Sequence, residues 1–311
     1  MSRLRSMVII GLVFLMSQSL PVSALIGIGA HYGIDLTLKM DNKLMEQTQL
    51  DNLKFSLSGL PSIPGINPDS VLTGKDIPVY INRKDWKNTG INFGGKIYVD
   101  VLPFIDALEV STNFGVWQYN GSVLYPKSIT PKYPPPAQAS RFQDLVDVTY
   151  DTLQLSIKKI YPNRYFWGVT ETPYAKLHFD ATIRKYLLQL PPVIKILKIY
   201  GGAGMSVDFA TPMLSSKLID DALRSYSSVP LSSDIFSSQD LQKKIIDQII
   251  NNMMTPHYGC HIALGSMIKL PMIPLGFYID AKYIIRFDKM DKYVDIGGNG
   301  FLINLGAALA F

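Results

Sequence analysis

The sequence has little of what usually holds a secreted or helical membrane protein together. Cys260 is the single cysteine among 311 residues, which excludes an intrachain disulfide framework. Only 18% of the residues are charged, whereas a soluble domain of average composition carries about 25%. After position 24 no uncharged apolar run approaches the 18 or so residues of a membrane helix, so a polytopic helical protein is also excluded. With 47% apolar residues the chain is not disordered, and a β-rich fold remains.

An export signal is predicted at residues 1–24. Arg3 and Arg5 precede the apolar run 7–15, and small residues ending at Ala24 suit a cleavage site. An uncleaved N-terminal anchor is the alternative, but this apolar run is too short to span a bilayer. Cleavage would lower the formal net charge from +5 to +3, too little to argue for nucleic acid as a partner. Residues 25–311 are expected to form one domain.

Eight segments alternate between apolar and polar residues with the period of two that is typical of β-strands. The first alternates from Ile26 to Met40, far longer than the five or six residues of an average soluble strand. A strand that crosses a membrane needs about 9–11 residues. The predicted strands are 26–40, 91–101, 108–117, 175–184, 197–209, 260–269, 277–287 and 301–311.

The connections between these strands alternate between long and short. Long segments lie at about 41–90, 120–170 and 211–257, and short, mostly proline-containing ones join the remaining neighbours. Alternation alone fits both a soluble sandwich and a membrane barrel, but the parity of the connections fits an up-and-down barrel with short inner turns and long outer loops. We therefore predict an all-β fold, a transmembrane antiparallel up-and-down β-barrel, most simply of eight strands.

The last segment, residues 300–311, has alternate apolar residues and ends in Phe311. In this the chain resembles the small outer-membrane β-barrels of bacteria, with the eight-stranded architecture of the OmpA, OmpX and OmpW type. The resemblance implies location in the bacterial outer membrane, contact with outer-membrane lipid, and recognition of Phe311 by the barrel assembly machinery. Three long loops depart from the short-looped members, so no subfamily function is carried over.

The first long loop leaves the strand count open. Leu53, Phe55 and Leu57 could form a short extracellular hairpin with Val79 and Ile81. The same runs could instead be two further membrane strands, which would make a barrel of ten. Their shortness favours the hairpin and the eight-stranded barrel.

The other long loops contain helical patterns. A helix is predicted over residues 140–160, beginning at Ser140, and a second one is predicted to begin at Thr211 and Pro212. A third, with a capping box at Ser237 and Asp240, carries the clearest apolar stripe. That stripe comprises Leu241, Ile245, Ile249 and Met253. The helices either pack on one another over the barrel mouth or present a surface to a protein, a lipid or a hydrophobic ligand.

The polar faces of the predicted strands carry most of the ionisable residues. Those expected to line the lumen are Asp35, Lys39, Lys96, Asp100, Glu109, Lys176, His178, Asp180, Arg184, Lys198, Asp208, His261, Lys269, Asp280, Lys282 and Arg286. An eight-stranded barrel is only wide enough for side chains to fill it, so a neutralising ion-pair network is expected. A narrow pore is the alternative reading.

No motif for chemistry emerges from the residue spacing. No serine has a nucleophile motif around it, the inward histidines lack metal-ligand spacing, and no phosphate-binding loop is present. We expect no catalytic residues, no metal and no cofactor. The predicted function is a non-enzymatic outer-membrane barrel whose structured loops serve interaction or envelope integrity. The alternative is a porin or transport barrel that passes a small or hydrophobic solute.

Overall fold

The computed structural model describes residues 25–40, 43–48, 54–56, 71–100, 105–134, 136, 138, 141–163, 168–191, 196–224, 229–230, 234–252, 255–271, 273–291, 294 and 296–310. The strands are β1 (Leu25–Asp35), β2 (Lys43–Thr48), β3 (Phe55–Ser56), β4 (Val71–Leu72), β5 (Val79–Asp100), β6 (Ala107–Pro131), β7 (Val146–Leu155), β8 (Thr172–Leu190), β9 (Leu197–Ala210), β10 (Val229–Pro230), β11 (Thr255–Lys269), β12 (Leu275–Arg286) and β13 (Gly300–Ala310). The helices are α1 (Phe142–Leu145), α2 (Ile157–Ile160), α3 (Ser216–Leu223), α4 (Asp234–Ser237) and α5 (Gln239–Asn251). The predicted export signal, residues 1–24, lies outside the described residues.

Eight of these strands close into a barrel. Around the wall the order is β1, β5, β6, β8, β9, β11, β12 and β13, and β13 pairs back with β1. Every neighbouring pair is antiparallel, and the eight strands follow one another around the wall in chain order. The prediction of an eight-stranded antiparallel up-and-down barrel is therefore confirmed. Among the described helices, none is long and apolar enough to cross a membrane.

The barrel has one end with short connections and one extended end. Short connections join β5 to β6, β8 to β9 and β11 to β12, and β1 begins at the same end. At the other end β5 and β6 run on past the barrel, with 22 and 25 residues respectively. There β2 pairs with the first residues of β5, and β7 pairs with the last part of β6. The result is a four-stranded sheet that projects from the barrel mouth.

The predicted helix over residues 140–160 is wrong. Among the described residues of that range only α1 and α2 are helical, and ten of the eleven residues between them, 146–155, form strand β7. The projecting part of β6 offers backbone N–H and C=O groups that need partners, and β7 supplies them. The sequence of β7, VDVTYDTLQL, is rich in β-branched residues that favour strands.

In the described part of the first long loop, the runs form neither the predicted hairpin nor two further barrel strands. Val79 and Ile81 belong to β5, where both pair with β2 residues of the projecting sheet and Ile81 also pairs with β6. Phe55 instead pairs with Leu72, in a small three-stranded sheet of β3, β4 and β10. Leu53 and Leu57 lie outside the described residues.

The helices and the projecting sheet bury a common apolar core above the barrel mouth, and we call this layer the cap. The α5 stripe residues Leu241, Ile245 and Ile249 are fully buried there, whereas Met253 lies outside the described residues. Both longer helices begin later than predicted. α3 follows Ser215, and α5 is capped by Ser238, whose hydroxyl accepts the N–H of Leu241.

Candidate functional site

Period-two alternation turns the polar side of every barrel strand inward, and these side chains meet in the interior. Of the predicted lumen residues, fourteen are in contact with other interior side chains of the described structure. These are Asp35, Lys96, Asp100, Glu109, Lys176, His178, Asp180, Arg184, Lys198, Asp208, His261, Asp280, Lys282 and Arg286. Lys39 is exposed beyond the end of β1, and Lys269 is half-buried at the last position of β11.

The interior charges form three tiers along the barrel axis. The middle tier consists of Lys96, Arg184, Lys282, Glu109, Asp180 and Asp280. Glu109 is fully buried and contacts all three cations: Arg184 closely, Lys282 Nζ at 3.2 Å and Lys96 Nζ at 3.4 Å. Lys96 also lies 2.8 Å from Asp280, and Lys282 lies 2.7 Å from Asp180. Three cations thus face three carboxylates in this tier.

The upper tier lies toward the extended end. Lys176 Nζ donates to Asp35 at 2.5 Å and lies 3.4 Å from Asp208, which also accepts from Arg286. His178 joins this tier to the middle one, because its Nδ1 lies 2.7 Å from Asp208 and its Nε2 lies 3.2 Å from Asp180. Carboxylates only accept hydrogen bonds, so this bridging geometry predicts that both ring nitrogens of His178 donate.

The lower tier is a single ion pair near the short-connection end. Lys198 lies 3.1 Å from Asp100, and the hydroxyl of Tyr186 donates to the same carboxylate at 2.7 Å. Counting all three tiers, six Lys or Arg side chains face six carboxylates among the described interior residues. Each tier is balanced by itself when His178 is left out of the count. The interior is therefore held together by short-range pairing.

Large inward tyrosines also fill the interior, although they were not among the predicted lumen residues. A Cβ on Gly27 would lie 2.1 Å from the ring of Tyr98, and one on Gly265 would lie 2.6 Å from the ring of Tyr200. The glycines leave room for these rings to lie flat against the wall. Tyr200 donates to Asp280 of the middle tier. Glycines on the polar face of a predicted strand were the available signal, because a ring from a neighbouring strand can occupy the space they leave.

The outer wall of the barrel is apolar on every strand. One outward residue from each of the eight strands is between 48 and 64% exposed. In wall order these are Ile28, Ile97, Val110, Ile183, Met205, Ile262, Ile279 and Leu305. Monomeric soluble proteins seldom expose an apolar patch of more than a few hundred Å², and this belt surrounds the molecule.

Aromatic side chains border the belt toward the extended end. Tyr32, Phe93 and Phe114 are in register on three neighbouring strands, and the Phe93 and Phe114 rings lie 5.7 Å apart. Tyr283 and Phe301 are paired across β12 and β13 with ring centroids 5.0 Å apart. Phe311, the predicted assembly signal, lies outside the described residues.

The cap is tied to the barrel through buried polar contacts. Arg83 of β5 is 1% exposed and donates to the carbonyl of Leu214 at 2.5 Å. The N–H of Leu214 donates to the hydroxyl of Tyr119 on β6 at 2.9 Å. Tyr125 of β6 stacks on Phe236 of α4 with ring centroids 4.9 Å apart. The helices therefore pack against the projecting sheet, and their apolar stripes are used inside the protein.

These features define a class of protein: a closed eight-stranded antiparallel β-barrel with a paired, charged interior, an apolar outer belt and a folded cap. Among the described residues, no group of three His, Cys, Asp or Glu side chains is arranged to hold a metal ion. A scan against protein-family models finds no match, and searches of the curated proteins and of the solved structures find none either.

Proposed function

We propose that this chain is a non-enzymatic, integral β-barrel protein of the bacterial outer membrane, whose cap serves interaction or envelope integrity. The observation that carries the proposal is the inverted polarity of the barrel. Twelve Lys, Arg, Asp and Glu side chains point into the interior, while all eight strands present apolar side chains outward. A barrel dissolved in water would have its exterior polar, whereas one in lipid has this arrangement.

Two further observations support placement in the outer membrane. Aromatic residues border the apolar belt at one end, where such rings prefer the boundary between lipid and water. The short connections and the start of β1 share one end, and the cap occupies the other, as in barrels with periplasmic turns and extracellular loops. The expected export signal and the expected assembly signal at Phe311 are consistent with export to the outer membrane. The partners proposed there are outer-membrane lipid and the barrel assembly machinery.

The test introduces a lysine into the apolar belt. Ile262→Lys places a charge at the outward face of β11, where a lipid environment costs about 2–4 kcal/mol near the bilayer midplane. We expect this variant to fold into lipid vesicles with a lower yield and a lower urea midpoint than the unmodified protein. The matched control is Thr130→Lys on the exposed projecting part of β6, which should change neither quantity.

Recovery of the unmodified protein in the periplasmic fraction without detergent would overturn the placement. A vesicle folding yield that is the same for Ile262→Lys and for Thr130→Lys would do so as well. Flotation of the unmodified protein with outer-membrane vesicles, together with selective loss for Ile262→Lys, is the result that the proposal requires.

A porin or transport function is the second candidate. The paired interior favours a closed barrel, because ions would have to displace side chains that are neutralised within each tier. We expect no steady single-channel openings of the intact protein in planar bilayers. Steady openings would contradict the closed barrel and support the transport function.

A further inference from the structure

A cleft of about 660 Å³ opens on the side of the cap, close to the rim of the barrel. One wall is formed by α3 and the segment before it, and another by the last turn of α5. His257 of β11 and residues 288–291, which follow β12, line the barrel side. This volume lies within the range of ordinary small-molecule sites, about 300–1,000 Å³.

Three polar groups from three separate elements line this cleft, and each has an atom without a hydrogen-bond partner among the described residues. Gln248 Oε1 on α5 is buried and accepts no hydrogen bond. His257 is 6% exposed, its Nδ1 is hydrogen-bonded to Asp288 Oδ2 at 3.0 Å, and no described residue bonds its Nε2. Ser215 is 3% exposed, and its hydroxyl does not cap α3. A buried polar atom without a partner is costly, and a ligand group that reaches Gln248 Oε1 from the cleft would supply the missing hydrogen bond.

The charged groups of the cleft already have partners within the protein. Lys217 pairs with Asp221 one turn further along α3, and His257 pairs with Asp288. Asp291 accepts the backbone N–H groups of residues 213 and 294. A ligand therefore does not need a charge to bind there. It needs groups that both donate and accept hydrogen bonds, as hydroxyls do. It also needs an apolar face that packs against the side chains of Leu218 and Met290.

We propose that this cleft is a saccharide-binding site in which Gln248, His257 and Ser215 hydrogen-bond the hydroxyls of a neutral sugar. Asp288 is a positioning residue, because its carboxylate fixes Nδ1 of His257 as a donor and so turns Nε2 toward the cleft. Leu218 and Met290 supply the apolar surface for a sugar ring.

The position of the cleft allows two sources of sugar. His257 precedes Tyr258 in the chain, and Asp288 follows Phe287, and both of these aromatic residues are exposed on the outer wall, Phe287 at 62%. If the barrel lies in a membrane, the cleft is at the level of lipid headgroups and opens to the exterior. The sugar is then either the headgroup of a glycolipid or a free oligosaccharide. Only the glycolipid headgroup requires the proposed location of the barrel in a membrane.

The experiment measures sugar binding to the folded full chain. Maltotriose and tri-N-acetylchitotriose are titrated against the protein in detergent micelles and followed by saturation-transfer NMR. Mixed micelles containing a neutral glycolipid, against mixed micelles of phosphatidylcholine alone, form the lipid arm. We expect binding in at least one arm: transfer to a free sugar assigns an oligosaccharide, and transfer to the glycolipid headgroup alone assigns a headgroup.

Gln248→Met separates a binding role from a structural one. Because Gln248 Oε1 is buried without a partner, replacing it with an apolar side chain should raise the urea midpoint of the sugar-free protein. The same change should weaken sugar binding at least tenfold. Gln242→Met, on the same helix outside the cleft, is the matched control and should not weaken binding. Ser215→Ala is a second variant that should also weaken it.

Three results would overturn the proposal. One is the absence of binding in both arms by protein that is folded. Another is Gln248→Met binding as tightly as the unmodified protein, and the third is equal weakening by Gln242→Met. None of them depends on the flotation result, because the first arm uses soluble sugars. Failure of the cleft and failure of the membrane placement are thus distinguishable.

Discussion

Removing one carboxylate from the middle tier should unbalance the barrel interior. In Glu109→Gln, three cations remain against Asp180 and Asp280. Lys96 keeps Asp280 at 2.8 Å, and Lys282 keeps Asp180 at 2.7 Å. Arg184 loses its closest partner and retains Asp280 at only 3.5 Å, although its side chain is 2% exposed. Leaving a buried charge without its partner typically costs about 3–5 kcal/mol, and we expect Glu109→Gln to lower the free energy of unfolding by that amount.

A second substitution tests whether this loss arises from the unpaired charge. In Glu109→Gln/Arg184→Met, both members of the closest pair are gone, and the pairs Lys96–Asp280 and Lys282–Asp180 remain intact. The double variant should therefore be less destabilised than the sum of the two single variants, by about 1–3 kcal/mol. Urea titrations in vesicles, followed by far-ultraviolet circular dichroism, give all four free energies.

The control for this cycle is an exposed ion pair. Lys127 and Asp151 are 3.2 Å apart in the projecting sheet, and both side chains are largely exposed. Lys127→Met should change the free energy of unfolding by less than about 1 kcal/mol. The reasoning is refuted if Glu109→Gln also costs less than about 1 kcal/mol, or if the two middle-tier substitutions are additive. Either result would mean that water or rearranged side chains replace the lost partner.

Three other experiments have defined outcomes. Gly27→Ala should cost about 1–3 kcal/mol in urea titrations because its Cβ meets the ring of Tyr98, and Tyr98→Ala in the same chain should reduce that cost. Ile245→Ala, at a fully buried site in the cap, should cost about 2–5 kcal/mol of cap stability. Limited proteolysis should then cleave the cap while the barrel fragment stays intact. Nitrogen NMR of His178 at neutral pH should show both ring nitrogens protonated, and a single protonated nitrogen would contradict its bridging role.

The barrel strands could be predicted because side-chain direction along a strand is a local property. Residues such as His261 and Ile262 alternate in polarity, and the structure places the first inside the barrel and the second outside. Period two needs no knowledge of the neighbouring strand, so all eight barrel strands were predictable. The alternation of long and short connections then determined how the strands follow one another around the wall.

The contacts within the interior could not be predicted in the same way. Lys96 and Asp280 are 184 residues apart, and their contact depends on the register of every strand between them. The cleft likewise combines Ser215, Gln248 and His257 from three elements, and the spacing of these residues along the chain carries no sign of it.

One segment shows most directly where local information ends. Residues 146–155 carry apolar residues at helical spacing as well as β-branched residues at alternating positions, so the sequence by itself allowed two structures. The projecting edge of β6 decided between them, because its backbone N–H and C=O groups needed partners that only a strand could provide. The sequence alone thus determined the barrel wall and the two faces of each strand. The partners of the interior charges, the strand β7 and the cleft in the cap were decided by the tertiary structure, because each depends on groups that are distant in the chain.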